Sequence, residues 1–328
     1  MKKPFIYITR KLPDQIVSKL RNEFYVEMWD SEDVPVPREI LLEKVKKANG
    51  LLTMLSDQIN LEVFQHAPSL KIVANLAVGY DNIDIKKANE FKVAICNTPD
   101  VLTDTTADLT FGLLLATARR LTEASEFVKS GEWTSWSPML LAGTDVHHKT
   151  IGIFGMGKIG EAVAKRAKGF EMEVIYHNRS RKPNVEKDVG ASYVEFEELL
   201  TRSDFLVCLA PLSPETKETF KKEQFVIMKN SSIFINAARG PIVNENDLYE
   251  ALKNGLIKGA GLDVFDQEPI HSDHQLLTLK NVVALPHIGS ATVETRTKMM
   301  SLCVENLIRV LSDQNPVTLV NKEWLTNN

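Results

Sequence analysis

The feature that most constrains the fold of this 328-residue chain is a glycine-rich turn between a predicted strand and a predicted helix. The strand covers Thr150–Phe154, and apolar residues then recur at helical spacing up to Gly169. Gly155 permits the tight turn, Gly157 lets a pyrophosphate approach the backbone, and Gly160 lets the helix pack closely on the strand. Because the start of such a helix presents N–H groups to phosphates, the pattern predicts a dinucleotide-binding unit. A purely structural turn is the alternative.

The end of the next predicted strand decides which dinucleotide is bound. This strand covers Met172–His177, and a unit that prefers NAD would carry Asp or Glu at its end to bind the ribose hydroxyls. Three cations and two small polar residues stand there instead, over residues 178–182. A 2′-phosphate requires cationic donors, so we predict NADPH as the cofactor and weaker use of NADH. A solvated basic turn is the alternative. The candidate cofactor-binding residues of this turn are Asn178, Arg179, Ser180 and Arg181.

The composition excludes several classes of protein. Hydrophobic residues make up 44% of the chain and charged residues 25%, and the length suits two domains that each bury a core. A net charge of −4 provides no basic footprint for nucleic acid. No apolar run approaches the length of a membrane span. The three cysteines lack metal-type spacing and suit a reducing compartment. We therefore expect a cytoplasmic protein that binds no nucleic acid, membrane or metal.

The first 100 residues alternate predicted strands and helices, which indicates a second α/β unit with a parallel sheet. One predicted strand, Leu70–Asn75, is followed by a turn-rich loop that contains Val78 and Gly79. Ligands in open α/β sheets bind beyond the carboxyl ends of the strands. The main-chain N–H groups of Val78 and Gly79 are therefore candidates for holding a small anion. A plain strand–helix connection accounts for the same residues equally well.

The longest periodic run of the sequence extends from Thr103 to Ser130. It is apolar nearly all round over Leu109–Ala118, which predicts a buried helix. A polar loop with two tryptophans, residues 131–138, ends this run, and Trp is favoured at interfaces as well as within a domain. Further along, the loop Pro211–Thr216 is predicted to begin a helix, and a last long helix is predicted over Thr292–Leu311.

Three residues with complementary chemistry, Arg239, Glu268 and His287, each follow a late predicted strand of the dinucleotide unit. They stand where a ligand in the crevice of an α/β sheet would be met. A guanidinium can bind a carboxylate and polarise a carbonyl, an imidazole can donate a proton, and a carboxylate can hold that imidazole. Of the seven histidines, only His287 ends an apolar strand, which favours a catalytic role over a packing role.

Four motifs, in this order along the chain, resemble the D-isomer-specific 2-hydroxyacid dehydrogenase family. They are Gly-Met-Gly-Lys-Ile-Gly at 155–160, Asn-Ala-Ala-Arg-Gly at 236–240, Gly-Leu-Asp-Val-Phe-Asp-Gln-Glu-Pro at 261–269 and Leu-Pro-His-Ile-Gly-Ser at 285–290. Three further stretches, at 78–84, 97–104 and 131–136, narrow the resemblance to glyoxylate/hydroxypyruvate reductases. The resemblance covers nearly the whole chain.

The resemblance implies an α/β fold with two doubly wound parallel-sheet domains, in which a Rossmann coenzyme domain is inserted into a flavodoxin-like substrate domain. We expect residues 1–99 and 290–328 to form the substrate-binding domain. Residues 100–289 are then expected to form the NADP-binding domain. The resemblance also implies a homodimer, joined mainly through the coenzyme domains.

The resemblance also implies a role for each residue that matches the family's motifs. Arg239 would clamp the substrate, His287 would act as acid and base, and Glu268 would be the partner of His287. The other residues implied to bind substrate are Val78, Gly79 and Ser290, together with Trp136, which would close the pocket of the partner subunit. The residues implied to bind the cofactor are Gly155, Gly157, Lys158, Ile159 and Gly160 at the pyrophosphate, Asn178, Arg179, Ser180 and Arg181 at the 2′-phosphate, and Pro211, Thr216, Ala237, Asp263 and Gly289 towards the nicotinamide end.

These expectations predict an NADPH-dependent reductase of small 2-oxo acids such as glyoxylate and hydroxypyruvate. A reductase of 2-ketogluconate would share the same motifs, and only kinetics separates the two. A nucleotide-sensing corepressor of this fold can also keep the same Arg, Glu and His. Such a protein normally carries extra tails or a basic partner surface, and this chain ends soon after its last predicted helix.

Overall fold

The computed structural model describes residues 3–326, and all neighbouring strands in its two sheets run parallel. The chain divides into two units. One comprises the chain up to Leu102 and again from Ala291, and the other comprises Thr103–Ser290. The described residues contain no helix that is long and apolar enough to cross a membrane.

The first unit is a five-stranded sheet with the order β2-β1-β3-β4-β5. This order is the one found in flavodoxin-like folds. Its elements, numbered along the whole chain, are β1 Phe5–Ile8, α1 Asp14–Glu23, β2 Tyr25–Met28, α2 Arg38–Val45, β3 Gly50–Thr53, α3 Leu61–His66, β4 Ile72–Asn75, α4 Ile85–Glu90, β5 Ala94–Cys96 and α12 Val293–Leu311. Helices α1 and α12 cover one face of the sheet, and α2, α3 and α4 cover the other. The late helix α12 is therefore part of the first unit.

The second unit is a seven-stranded sheet with the order β12-β11-β10-β9-β6-β7-β8. Counted from its own first strand, this is the dinucleotide-binding order 3-2-1-4-5-6 with one more strand at the edge. Its elements are α5 Thr103–Ala118, α6 Leu121–Lys129, β6 Thr150–Phe154, α7 Lys158–Lys168, β7 Glu173–His177, α8 Pro183–Val189, β8 Ser192–Tyr193, α9 Phe196–Arg202, β9 Phe205–Cys208, α10 Lys222–Ile227, β10 Ile233–Asn236, α11 Glu245–Lys253, β11 Gly259–Leu262 and β12 Val282–Ala284. The predicted fold class, two doubly wound α/β domains, is confirmed.

The sequence pattern explains the central helix of the second unit. Helix α5 is apolar on nearly every side, and it packs against α7 and against strands β10 and β11. Helix α7 buries a stripe at helical spacing, made of Gly160, Val163, Ala164 and Ala167, and the small residues in it let helix and strands approach closely. On the other face of this sheet, α9, α10 and α11 bury a second apolar cluster. The carboxyl ends of its strands therefore emerge between two covered faces.

Two predicted helical segments differ from the structure. The run from Thr103 to Ser130 is two helices rather than one, because Arg120 adopts a left-handed conformation (φ +54°) and redirects the chain between α5 and α6. The loop Pro211–Thr216 does not begin a helix. The hydroxyl of Thr216 instead donates to the carbonyl of Pro211 (2.7 Å) and accepts from the N–H of Ser213 (2.8 Å), and this closes the loop on itself. The next helix, α10, begins only at Lys222.

Candidate active site

The glycine turn after β6 has the geometry that a pyrophosphate requires. Gly155 has a φ of +102°, and a Cβ atom there would lie 2.4 Å from the N atom of Ala210. A Cβ on Gly160 would lie 2.6 Å from the carbonyl oxygen of Gly155, so this residue permits the close contact of helix and strand. Apart from Gly157 and its chain neighbours, no atom of the described residues lies within 4 Å of the position that a Cβ on Gly157 would take. The cradle is open at the start of α7, beside Lys158 and Ile159, and it fits the phosphates of a dinucleotide.

The basic turn after β7 contains no acidic residue between positions 178 and 182. Arg179 and Ser180 are exposed, and the amide of Asn178 donates to the carbonyl of Ser180 (3.2 Å), which stabilises the turn. Arg181 is engaged elsewhere, since its Nε and Nη2 atoms bind the two carboxylate oxygens of Glu186 at 3.1 and 2.6 Å. Arg179 is therefore the arginine of this turn best placed to meet a phosphate.

The loop Pro211–Thr216, which follows β9, lies close to this basic turn. The Ser213 hydroxyl, the residue's own N–H group and the charge of Arg179 together hold the pKa of Glu215 below its usual value. The positive charge of Arg179 therefore reaches the loop Pro211–Thr216. Pro211 is exposed at the start of this loop.

The central pair of the candidate active site is Glu268 and His287. The Nδ1 atom of His287 lies 2.7 Å from Oε2 of Glu268, and the other carboxylate oxygen accepts from the N–H of Phe265 at 3.0 Å. Burial raises the pKa of Glu268, but the hydrogen bond and charge of His287, the Phe265 N–H group and the charge of Arg239 outweigh it. The pKa of Glu268 is therefore below its usual value. Nε2 is the ring nitrogen of His287 left to exchange a proton with a ligand.

The backbone around His287 is held in an unusual conformation. His287 has a φ of +53°, in the left-handed region that residues other than glycine seldom adopt. Asp263, which directly follows β11 and is 1% exposed, accepts from the N–H of Ile288 at 2.8 Å. A Cβ on Gly289 would lie 3.2 Å from the Asp263 carboxylate, so a larger residue would crowd this contact. Burial raises the pKa of Asp263, although the Ile288 N–H and His287 lower it. Asp263 thus acts on the site through the turn that carries His287.

Arg239 follows β10 in a segment that packs directly on the turn carrying Glu268. A Cβ on Gly240 would lie 1.8 Å from the carbonyl carbon of Phe265, so only glycine fits there. The amide of Asn236 donates to the carbonyl of Arg239 (3.0 Å), and Nη1 of Arg239 donates to the carbonyl of Ala238 (2.8 Å). Ala237 is partly exposed at the end of the same strand. The second unit therefore brings Arg239, Glu268 and His287 to one edge of its sheet.

Two residues that the sequence analysis did not single out support this turn. Glu245, the first residue of α11, accepts from the N–H of Asp266 at 2.8 Å and lies 3.3 Å from Nε2 of His274. Burial raises the pKa of Glu245, and the Asp266 N–H group and His274 oppose this effect. Glu245 therefore holds the Phe265–Asp266 peptide, on which Gly240 also packs. No local pattern reveals this role, because the residues involved are 21 or more positions apart along the chain.

The candidate residues for substrate binding are distributed over both units. Val78 and Gly79 are partly exposed in the loop after β4 of the first unit, and Ser290 is partly exposed at the end of the second. Buried and partly buried asparagines contact the carbonyls of Val78 and Gly79. Trp136 is 77% exposed, in the polar loop that follows α6. Such exposure does not favour packing of this side chain within its own subunit.

Residues 111–289 match the family model described as "D-isomer specific 2-hydroxyacid dehydrogenase, NAD binding domain". The chain is 51% identical over 327 residues to a glyoxylate reductase of Thermococcus onnurineus, and the match covers 98% of this chain and 97% of that protein. It superposes with a TM-score of 0.91 on the TT0316 protein of Thermus thermophilus, with 41% identity and coverage of 96% and 99% of the two chains.

A third relative is a solved NADPH-dependent glyoxylate/hydroxypyruvate reductase of Sinorhizobium meliloti, in complex with NADP and malonate. This chain is 31% identical to it, with a TM-score of 0.84 and coverage of 98% of both chains. The family model, the relative of 51% identity and the arrangement of Arg239, Glu268 and His287 agree with one another. This chain belongs to the D-isomer specific 2-hydroxyacid dehydrogenase family, a family of oxidoreductases that use a nicotinamide cofactor.

Proposed function

We propose that this enzyme reduces glyoxylate and hydroxypyruvate to the corresponding 2-hydroxy acids with NADPH. The observation that carries the proposal is the contact of 2.7 Å between His287 and Glu268, at the end of the sheet that bears the glycine turn. An imidazole held in this way by a carboxylate is suited to donate a proton to a substrate oxygen. Relatives named glyoxylate reductase, with identities near 50% over 98% of the chain, support the choice of substrate.

A bound nicotinamide cofactor supplies the hydride that reduces the substrate carbonyl. The protein's part is to bind the 2-oxo acid, to polarise its carbonyl and to provide a proton. Arg239 presents a planar guanidinium that binds a carboxylate and draws electron density from the neighbouring carbonyl. Glu268 stabilises the charged imidazole of His287, so that Nε2 can hold the proton until the carbonyl oxygen takes it. Asp263 keeps the turn of His287 in place through the N–H of Ile288.

We assign the substrate carboxylate to the main-chain N–H groups of Val78 and Gly79, with Ser290 as a further contact. A carboxylate bound by backbone N–H groups and a guanidinium would be held in one orientation. The unit with residues 1–99 and 290–328 would bind substrate, and residues 100–289 would bind NADP.

NADPH is the proposed cofactor because Arg179 and Ser180 occupy the place of an acidic residue after β7. A guanidinium pairs with a 2′-phosphate, and no carboxylate within residues 178–182 is available to bind a ribose 2′-hydroxyl. The solved relative from Sinorhizobium meliloti is described as NADPH-dependent and contains NADP. For the other cofactor-binding residues, at the pyrophosphate and towards the nicotinamide end, we propose the roles that the family resemblance implies.

We also propose a homodimer, in which α6 and the loop after it form part of the interface. Helix α6 buries none of its residues within the chain, and Val128, Trp136 and Met139 are 56%, 77% and 78% exposed. Apolar surface of this extent is typical of protein interfaces. Cys96, Cys208 and Cys303 are buried free thiols, which fits a reducing cytoplasm as the place of action.

A substrate panel tests the proposed function. The purified enzyme would be assayed with NADPH and with NADH against glyoxylate, hydroxypyruvate, pyruvate and 2-ketogluconate. We expect the highest kcat/KM with NADPH and either glyoxylate or hydroxypyruvate. A higher kcat/KM for 2-ketogluconate would assign the enzyme to that substrate instead, and equal kcat/KM values for both cofactors would refute the proposed cofactor preference.

A further inference from the structure

The loop after β4 has three consecutive carbonyl groups that all accept hydrogen bonds from donors at the ends of β4 and β5. The carbonyl of Ala77 accepts from the N–H of Thr98 at 2.8 Å. The carbonyl of Val78 accepts from Nδ2 of Asn97 at 2.8 Å, and that of Gly79 accepts from Nδ2 of Asn75 at 2.9 Å. Two of the three donors are therefore side-chain amides, which no regular secondary structure requires.

Peptide geometry determines what these three contacts do to the neighbouring N–H groups. In a planar trans peptide the C=O and N–H bonds point to opposite sides. Holding the carbonyls of Ala77, Val78 and Gly79 therefore turns the N–H groups of Val78, Gly79 and Tyr80 away from the asparagines. Among the described residues of this unit, no acceptor binds any of these three N–H groups. Successive N–H groups that face outward in this way form an anion-binding surface.

The amide of Asn75 is fixed by its own partners. Asn75 is fully buried, and its Oδ1 faces Nδ2 of Asn82 at 3.4 Å. That nitrogen also donates to the carbonyls of Met54 and Asp57, at 3.1 and 2.9 Å, so it is an amide nitrogen and not an oxygen. Because both hydrogens of that nitrogen are used by the two carbonyls, the other end of the Asn82 amide, Oδ1, is an acceptor. Nδ2 of Asn75 donates to this Oδ1 at 3.2 Å, so the same nitrogen of Asn75 is the donor to Gly79.

Asn97 is anchored as well, through its backbone. Its carbonyl accepts from Oγ1 of Thr318 at 2.7 Å, and Nδ2 of Asn306 donates to the same hydroxyl oxygen at 2.9 Å. These groups connect the end of β5 to the segment after α12 within the same unit. Asn306 is fully buried and Thr318 is partly buried, so these contacts hold the backbone of Asn97 in place at the end of β5.

We propose that Asn75 and Asn97 are positioning residues that present the N–H groups of Val78, Gly79 and Tyr80 to the substrate carboxylate. The inference deepens the proposed function and rests on it. Asparagine is required because aspartate, ionised at neutral pH, has no proton to donate and would repel the carbonyl oxygens it faces. Tyr80 thereby joins the two residues predicted from the sequence as a main-chain donor.

The test compares two aldehydes that differ only in the carboxylate, glyoxylate and glyoxal. In Asn97→Ala and Asn75→Ala, we expect the KM for glyoxylate to rise about 10- to 100-fold, the effect of losing one hydrogen bond to a charged group. The kcat for glyoxylate and the kcat/KM for glyoxal should change by no more than about twofold, as for a residue that acts only on ground-state binding of the carboxylate. Asn97→Asp should lose at least as much affinity for glyoxylate as Asn97→Ala.

The matched control is Asn321→Ala, since Asn321 is a buried asparagine of the same unit, 3% exposed, that bonds Val93 and Ile95 instead of the loop. It should lose comparable stability and keep the wild-type preference for glyoxylate over glyoxal. Oxalate binding, measured by calorimetry on the cofactor-saturated protein, gives a readout that needs no turnover. Oxalate should bind about 10- to 100-fold more weakly to Asn97→Ala than to the wild type.

The outcomes separate the two proposals. If the wild type reduces glyoxylate but both alanine variants keep its KM and its oxalate affinity, the positioning role is refuted while the proposed function stands. An equal loss of kcat/KM for glyoxylate and for glyoxal would also refute the positioning role, because such a loss would show a general structural effect. Should Asn75→Ala fail to fold, the partly buried Asn97 still decides the question. If the wild type reduces no 2-oxo acid, the proposed function fails, and wild-type oxalate affinity in the variants then refutes the inference as well.

Discussion

At the residue scale, the site depends on one imidazole that is constrained from two directions. Glu268 holds Nδ1 of His287 at 2.7 Å, and Asp263 holds the following peptide through Ile288 at 2.8 Å. The left-handed backbone of His287 carries a conformational cost, and strain of this kind is concentrated at functional positions. The orientation of the ring is therefore set before any substrate binds.

Glu268→Gln provides the first prediction. The replacement removes the negative charge that stabilises the protonated imidazole, so the alkaline limb of the kcat profile for reduction should move to lower pH. Gln can still accept the N–H of Phe265, which limits the structural effect. Wild type and variant would be compared by kcat across the acid and alkaline limbs of the profile. An unchanged profile would remove Glu268 from its assigned role.

The same pair predicts how stability depends on pH. The pKa of Glu268 is lower in the folded protein than its ordinary value, so its contribution to stability is present above that ordinary value, about 4.3. The contribution is lost as the pH falls through the lowered pKa of the folded state. The stability difference between wild type and Glu268→Gln, measured by urea unfolding, should therefore persist down to a pH of about 4.3 and shrink as the pH is lowered further.

At the element scale, the turn after β7 separates two arginines that look equivalent in the sequence. Arg179 is exposed, whereas Arg181 forms a two-point contact with Glu186. Arg179→Ala should raise the KM for NADPH about tenfold to a hundredfold, since hydrogen bonds to charged groups contribute about 1.5–3 kcal/mol, and it should leave the KM for NADH nearly unchanged. Arg181→Ala is the matched control and should affect NADPH much less. Equal effects of the two variants would contradict this assignment.

The order and type of most elements could be predicted because local patterns determine them. The glycine turn requires Gly155 to adopt a positive φ, and Gly160 permits close packing, so both residues reveal the strand–turn–helix unit in the sequence. The break between α5 and α6 could not be predicted, because Arg120 adopts its left-handed conformation with no glycine or proline to mark the position. The prediction that Pro211–Thr216 begins a helix was wrong for a related reason. The hydroxyl of Thr216 closes the loop through short-range hydrogen bonds that compete with a helix.

The proposed catalytic residues were easier to predict from the sequence than the residues that hold them in position. Arg239, Glu268 and His287 follow strands, and the ends of parallel strands meet at one edge of a sheet. The amide contact of Asn97 with Val78 and the contact of Glu245 with Asp266 join positions that only the folded chain brings together. Their residue types are ordinary in a helix start or a strand end, so the sequence alone does not distinguish them.

At the scale of the whole molecule, the proposed dimer would complete each active site with a residue from its partner. Trp136 is 77% exposed in a loop too polar to form a core of its own. We predict that Trp136→Ala widens the range of accepted 2-oxo acids, with a lower KM for bulky substrates relative to glyoxylate, and leaves cofactor binding unchanged. Trp133→Ala is the control, since that indole N–H bonds the carbonyl of Ser135 within its own loop (3.1 Å).

Light scattering and kinetics on the same samples decide whether Trp136 of one subunit closes the substrate pocket of the other. The wild type should be a dimer, and the effect of Trp136→Ala should be confined to substrate selection. A fully active monomer would contradict this role of Trp136, and so would a Trp136→Ala variant with the substrate range of the wild type.

The central claim is that the enzyme transfers a hydride from NADPH to the carbonyl carbon of a 2-oxo acid, with His287 as proton donor. The most direct measurement is product analysis after reduction of hydroxypyruvate with NADPH that carries deuterium on the transferred position of the nicotinamide. We expect the wild type to form D-glycerate with one deuterium at C2, and we expect His287→Ala to form it about a hundredfold or more slowly. L-glycerate, a product without deuterium at C2, or an undiminished rate with His287→Ala would contradict it.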